Sequence, residues 1–174
     1  MTKRQEFRVI ESYPGFELRE YLPCVIAEVK VSAHYSSASS AAFGSLFNYI
    51  SKGNKTAQKI AMTAPVIAAT HEEPTNSNNW FVSFVMPAGS TRSQLPNPND
   101  PNVTLRELGT EKCVAVSFRG RATEEKSSEI AAQLRAAATK AKIALSDETR
   151  ICRFDPPFKP GFMQFNEIVI PTKE

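Results

Sequence analysis

Residues 47–66 read FNYISKGNKTAQKIAMTAPV, and a change of period inside them decides the fold. Up to Ile50 the spacing is helical: Phe43, Leu46, Phe47 and Ile50 stand at i, i+3, i+4 and i+7, the end of an amphipathic helix. Lys52 brings a cation towards the last carbonyls and Gly53 can take the left-handed conformation past a helix end, so the helix stops there and Asn54 continues the turn. From Lys59 onward, Ile60, Met62, Ala64 and Val66 alternate with Lys59, Ala61, Thr63 and Pro65, which is the period of a strand. Pro65 donates nothing to a ladder and marks a sheet edge, a bulge or the strand's limit.

Towards the N-terminus, Phe7 and Val9 share one face of a short strand with Ile10 on the other, Pro14-Gly15 turns the chain, and Phe16 and Leu18 begin the next strand. CVIAEVKVSA, residues 24–33, alternates well from Val25 to Val31, and Ser36 to Ser40 lead into the first helix with hydroxyls able to cap it. Towards the C-terminus, WFVSFVM (80–86) is an apolar strand, and SQLPNPNDPN (93–102) is a surface link between two halves. A second helix is predicted over about Thr123 to Lys142, capped by Thr123, with Ile130, Leu134, Ala137 and Ala141 as its buried stripe. Strands around Arg150 to Phe154 and Phe165 to Ile170 follow.

The halves read alike. Leu18-Arg19-Glu20-Tyr21 precedes Cys24-Val25 and a strand entering a helix; Leu105-Arg106-Glu107-Leu108 precedes Cys113-Val114 and another. The expected fold is therefore one α+β domain over residues 1–174: two pseudo-symmetric β-α-β-β repeats, about 16–87 and 103–171, forming a curved, mainly antiparallel sheet or distorted β-barrel flanked by two helices.

Composition narrows the function. A length of 174 residues with 41% hydrophobic side chains suits one domain with its own core. The formal charge of +3 arises from scattered residues and gives no basis for a nucleic-acid partner. Cys24, Cys113 and Cys152 are odd in number and lack C-x-x-C spacing, which suggests neither a disulfide framework nor a zinc site and fits a reducing compartment. MTKRQEF carries no apolar signal core and no apolar run reaches the length of a membrane span, so a cytoplasmic location is expected, or an organelle after loss of a transit peptide. Nucleophile elbows, phosphate loops and H-E-x-x-H are absent, and His34 and His71 read as solvated or locally bonded, so neither catalysis nor a metal site is indicated.

Three stretches carry a resemblance. A helix ending Tyr-Ile, then Gly-Asn, then Lys-Ile-x-Met-Thr-x-Pro-Val, together with YPGFELREY (13–21) and RFDPPFKPGFMQFNEIVIP (153–171), resembles the SOUL haem-binding protein family over essentially the whole chain. The resemblance implies a distorted β-barrel flanked by two helices and a non-enzymatic carrier or buffer of haem or another tetrapyrrole. Some members are thought to use a histidine before the aromatic residue of the early strand. FELREY puts Glu20 there, a hard oxygen donor in place of imidazole. Other members bind by an apolar groove with basic residues for the propionates. Two of those positions fall at Ser40 and Asn48, while Lys159 matches a third.

The groove this implies would be walled by Phe43 and Phe47 on the first helix and by Phe158 and Phe162 on the proline-rich loop, with Lys159 as the cation. Helical spacing favours core over groove for Phe43 and reads equally as either for Phe47, and a solvated helix end explains Lys52, Lys55 and Lys59 at least as well. Glu167, a carboxylate in an apolar strand, needs a partner: Arg19, Arg106 or Arg153. As a ligand contact instead, it would make the domain a GyrI-like effector-binding module for cationic small molecules. A protein-interaction module using the aromatic loop is the third reading.

Overall fold

A computed structural model of the chain describes residues 3–156 and 158–173. Its strands are β1 (Lys3–Arg4), β2 (Phe7–Tyr13), β3 (Phe16–Tyr21), β4 (Cys24–Ser32), β5 (Thr63–Ala64), β6 (Val66–Thr70), β7 (Asn79–Val85), β8 (Val103–Leu108), β9 (Glu111–Arg119), β10 (Thr149–Arg153) and β11 (Phe165–Pro171). Helix α1 (Tyr35–Ile50) follows β4, and α2 (Glu124–Lys140) follows β9.

Nine strands form one curled, wholly antiparallel sheet in the order β2-β3-β9-β11-β10-β6-β7-β4-β8, and β1 pairs in parallel with β5 beside it. Read outward from the β10–β6 pair, the order is β10-β11-β9-β3 on one side and β6-β7-β4-β8 on the other. Helix α1 packs on β4 and β7, and α2 on β9 and β11. The sheet is thus an α+β half-barrel whose helices cover one face and leave the other concave.

Alternation along the strands supplies both faces. In β11, Ile168 and Ile170 enter the core beneath the helices, with Trp80, Val82, Phe84, Val114 and Ile151 from neighbouring strands. Glu167 and Val169 point to the concave side with Cys152, Ile67 and Ala115. The concave layer is buried but mixed in polarity, which is why a carboxylate can occupy a strand that reads as apolar.

Helix α1 turns differently from its sequence reading. Leu46 and Ile50 are buried with Tyr35, Ala38, Ala42 and Tyr49, but Phe43 and Phe47 remain 41% and 49% exposed. The small residues Ala38 and Ala42 let the helix lie on the sheet, so the core stripe runs through them and the phenyl rings fall at its margin. The serines lie inside the helix: His34 is the N-cap and makes no side-chain capping bond. At the other end Lys52, with φ of 91°, is the left-handed residue, while the Gly53 N–H reaches the Asn48 carbonyl at 2.8 Å. Gly53 is needed for space, because a Cβ there would stand 2.6 Å from the Asn48 carbonyl oxygen. Asn54 then clamps the turn, its amide donating to the carbonyls of Tyr49 and Gln58 and its oxygen accepting from the Gln58 N–H.

The alternating run expected as one strand from Lys59 is strand only at Thr63–Ala64 and again from Val66, with Pro65 between them and Lys59 in an isolated bridge to Ser51. In α2, Thr123 caps the helix by accepting from the Lys126 N–H at 3.2 Å. Its most buried residues are Ser127, Ala131, Leu134 and Ala138; Ile130 and Ala137 flank that stripe, and Ala141 lies just past the helix, all three packing more loosely.

Candidate functional site

The candidate ligand surfaces include a concave cavity and a set of exposed aromatic side chains; a further cavity of about 870 Å³ is lined by residues 3–6, 22–24, 61–63 and 85–89. On the concave face a cavity of about 640 Å³ opens over β3, β9, β11 and β10. Its floor is an ion pair that register makes possible: Arg19 of β3 and Glu167 of β11 both face it, one to each side of β9. Arg19 Nη1 and Nη2 donate to the two Glu167 oxygens at 2.9 and 2.8 Å, and Ser117 Oγ of the intervening strand donates to Glu167 Oε2 at 2.9 Å. Arg19 also donates to Tyr21 Oη and Glu17 Oε1 and lies 4.0 Å from the centre of the Phe7 ring. Burial alone would lower the Arg19 pKa; its bonds and attraction to Glu167 and Tyr21 hold it above the ordinary value. Of the three arginines considered for Glu167, Arg19 is the partner. Arg106 pairs with Glu28, and Arg153 donates to Ser39 Oγ, Tyr35 Oη and the Ala122 carbonyl.

The concave thiols are quiet. Burial pushes Cys113 up to about 12 and raises Cys152 and Cys24 as well, so none is a thiolate at neutral pH.

Two pairs of exposed phenylalanines stand apart from the concave cavity. The rings of Phe43 and Phe47 stack at 5.7 Å, with Phe43 also set edge-on to the buried Phe84 at 5.5 Å. Beyond β10, Phe158 and Phe162 are 87% and 80% exposed. The two pairs make no ring contact with each other among the described residues, and none of the four lines the concave cavity. Lys159 is not a free ammonium: Nζ lies 3.1 Å from Asp155 Oδ1, and Asp155 Oδ2 accepts from the Phe165 N–H at 2.7 Å. That carboxylate ties the two ends of the aromatic loop together. Burial would push its pKa up, but the Phe165 N–H and the Lys159 ammonium outweigh this and hold it below the ordinary carboxylate range.

The histidines and Glu20 weighed as ligands for a haem iron each have a charged partner. His34 Nε2 faces Glu124 at 2.7 Å, His71 Nδ1 faces Asp147 at 2.8 Å, and Glu20 accepts from Arg8 Nε at 2.7 Å. Ser40 is exposed and bonds to the Ser37 carbonyl within the helix, and Asn48 is exposed about two turns beyond. Sequence reasoning weighed Arg153 only as a partner for Glu167 and did not find the concave cavity. For the cavity the available signal was the alternation of Arg19, Ser117 and Glu167 on strands that become neighbours only through long-range pairing.

A family model described as SOUL heme-binding protein matches residues 2–171. Heme-binding protein 1 of Xenopus tropicalis is 27% identical over 149 residues, covering 84% of this chain and 78% of its own length. Among solved structures, the EcmrR C-terminal domain superposes with a TM-score of 0.69 at 16% identity, covering 91% of this chain and 97% of that one. A hydrolase from Listeria innocua superposes with a TM-score of 0.62 at 10% identity, covering 94% of each chain. At such identities these structures share a fold with this chain.

Proposed function

The chain belongs to the SOUL heme-binding protein family, and from that premise we propose that it carries or buffers haem or a related tetrapyrrole without catalysing a reaction on it. The ligand would lie on the helix side, against the Phe43–Phe47 stack and beneath the loop bearing Phe158, Lys159 and Phe162. The observation that carries this reading is the exposure of those four phenyl rings, 41%, 49%, 87% and 80%, at the margin of one helix and on one loop. Phenyl rings left in water on a folded domain point to a partner that covers them, and a flat conjugated macrocycle gains from ring stacking as well as burial. Iron, when present, would bring its own redox and ligand chemistry; the residues here supply apolar walls and charge at the periphery. The GyrI-like alternative has less support, because the carboxylate it requires, Glu167, is already neutralised by Arg19.

Titration of ligand-free protein with haem and with metal-free protoporphyrin tests the proposal, with a cationic dye as the alternative's probe. Expected are saturable binding of both porphyrins and a haem spectrum without the sharp low-spin bands of bis-histidine or histidine/methionine ligation. Binding of the dye alone would overturn the reading. A strongly low-spin haem complex lost in His34→Ala or His71→Ala would overturn the part that excludes axial histidine.

A further inference from the structure

Arg153 is the last residue of β10, immediately before the aromatic loop, and its side chain reaches the first turns of α1. There Nη1 donates to Ser39 Oγ at 3.3 Å and Nη2 to Tyr35 Oη at 3.0 Å, with the guanidinium 5.4 Å from the Tyr35 ring centre. Tyr35, Ser39, Phe43 and Phe47 succeed one another at i+4 spacing, so they form a single row along α1 with the guanidinium at one end and the stacked rings at the other. The sheet beneath repeats this arrangement. Arg153 of β10 stands opposite Val66 of β6, Val66 opposite Phe84 of β7, and Phe84 carries Phe43.

The guanidinium is half-buried, and among the described residues no carboxylate lies within ion-pair distance of it. Glu124 is committed to His34 at 2.7 and 3.0 Å, and Asp155, two residues along the chain, to the Lys159 ammonium and the Phe165 N–H. Hydroxyls and one carbonyl occupy the two Nη groups, leaving a partly desolvated positive charge without a negative one. Its environment therefore favours an incoming anion more than a fully solvated lysine would. Ser40 and Asn48 bring no charge to the same helix, and Lys159 is held by Asp155.

We infer that Arg153 is the specificity-determining residue of this surface, binding a carboxylate at the edge of a flat ligand whose apolar body lies on Phe43 and Phe47. This rests on the helix-side tetrapyrrole reading and adds a selectivity to it: the site takes macrocycles with free peripheral carboxylates and discriminates against their esters. The ion pair forms between Arg153 and the carboxylate with no change of covalent bonds.

The test compares metal-free protoporphyrin with its dimethyl ester by fluorescence titration, for wild-type protein, Arg153→Met, Arg153→Lys and Phe43→Ala/Phe47→Ala. Methionine keeps the apolar stem without the charge, and thermal unfolding of each variant is recorded alongside. Wild-type protein should prefer the diacid by up to about five-fold at low salt, the size of one partly exposed ion pair, with the preference shrinking as salt rises. Arg153→Met should remove that preference without weakening the ester, Arg153→Lys should keep part of it, and the phenylalanine variant should weaken both ligands alike. Equal wild-type affinity for diacid and ester overturns the inference without any variant, even if Arg153→Met fails to fold. Equal weakening of both ligands in a folded Arg153→Met also overturns it, by making Arg153 purely structural. If Phe43→Ala/Phe47→Ala binds both porphyrins normally, the helix-side reading fails instead, and the inference with it.

Discussion

Arg19 and Glu167 meet in a two-bond fork on the concave face, at 2.9 and 2.8 Å, with side chains 5% and 6% exposed. They are separated by nearly the whole chain, and β9 lies between their strands. The pair therefore fastens the N-terminal hairpin to the C-terminal strand across a third.

Removing one member alone strands the other charge in a buried layer. Glu167→Ala or Arg19→Ala should each cost about 3 to 5 kcal/mol in chemical denaturation, while Arg19→Met with Glu167→Leu should cost clearly less than the sum. Additive losses would mean that the two side chains act independently.

The sequence made this pair only half legible. Glu167 announces itself as a charge in an apolar strand, but the choice among Arg19, Arg106 and Arg153 depends on which strands become neighbours, and that is set by the long-range pairings of β3, β9 and β11. The change of period around Gly53 and the cap at Thr123 depend on a few adjacent residues, so the elements could be read locally. Which face of α1 is buried could not. Phe43 and Phe47 match a helical stripe as well as Ala38 and Ala42 do, and only the close approach of α1 to β4 and β7 favours the small residues.

The end of α1 gives a paired prediction. Lys52 holds a φ of 91°, which costs a side-chain-bearing residue about 1 kcal/mol, so Lys52→Gly should be neutral to stabilising by up to about that amount. Gly53→Ala should destabilise, because its Cβ would stand 2.4 Å from Asn48 Nδ2 and 2.6 Å from the Asn48 carbonyl oxygen, and backbone cannot yield as a side chain can. Thermal midpoints that move in the same direction for both variants would contradict this division of roles.

Asp155 should make the aromatic loop sensitive to acid. Its pKa is held below the ordinary value in the folded protein by the Phe165 N–H and Lys159 against the opposing effect of burial, so the native state binds fewer protons there than the unfolded chain. The stabilisation is complete above the ordinary carboxylate pKa of about 4 and disappears as pH falls through the depressed folded value. Asp155→Asn should therefore be less stable than wild type at neutral pH, with the two unfolding midpoints converging in acid. A gap that stayed constant from neutral pH to about pH 2 would show that the carboxylate's charge contributes nothing.

Phe158 and Phe162 separate a binding role from a packing role more cleanly than any other pair. At 87% and 80% exposure their rings bury little on folding, so Phe158→Ala with Phe162→Ala should leave the thermal midpoint nearly unchanged. If a macrocycle covers them, the same variant should lose affinity for both the acid and ester forms of protoporphyrin, by up to about 1.5 to 3 kcal/mol for each ring that becomes fully buried, and this loss should depend little on salt. Lys159→Ala should behave differently. Its ammonium is one-third exposed and paired to Asp155, so the direct loss in binding should be at most about 1 kcal/mol and should shrink at high salt. A phenylalanine variant that keeps both its stability and its affinity for porphyrin would remove the loop from the site and leave the α1 row, from Tyr35 to Phe47, as the surface to which the ligand must be assigned.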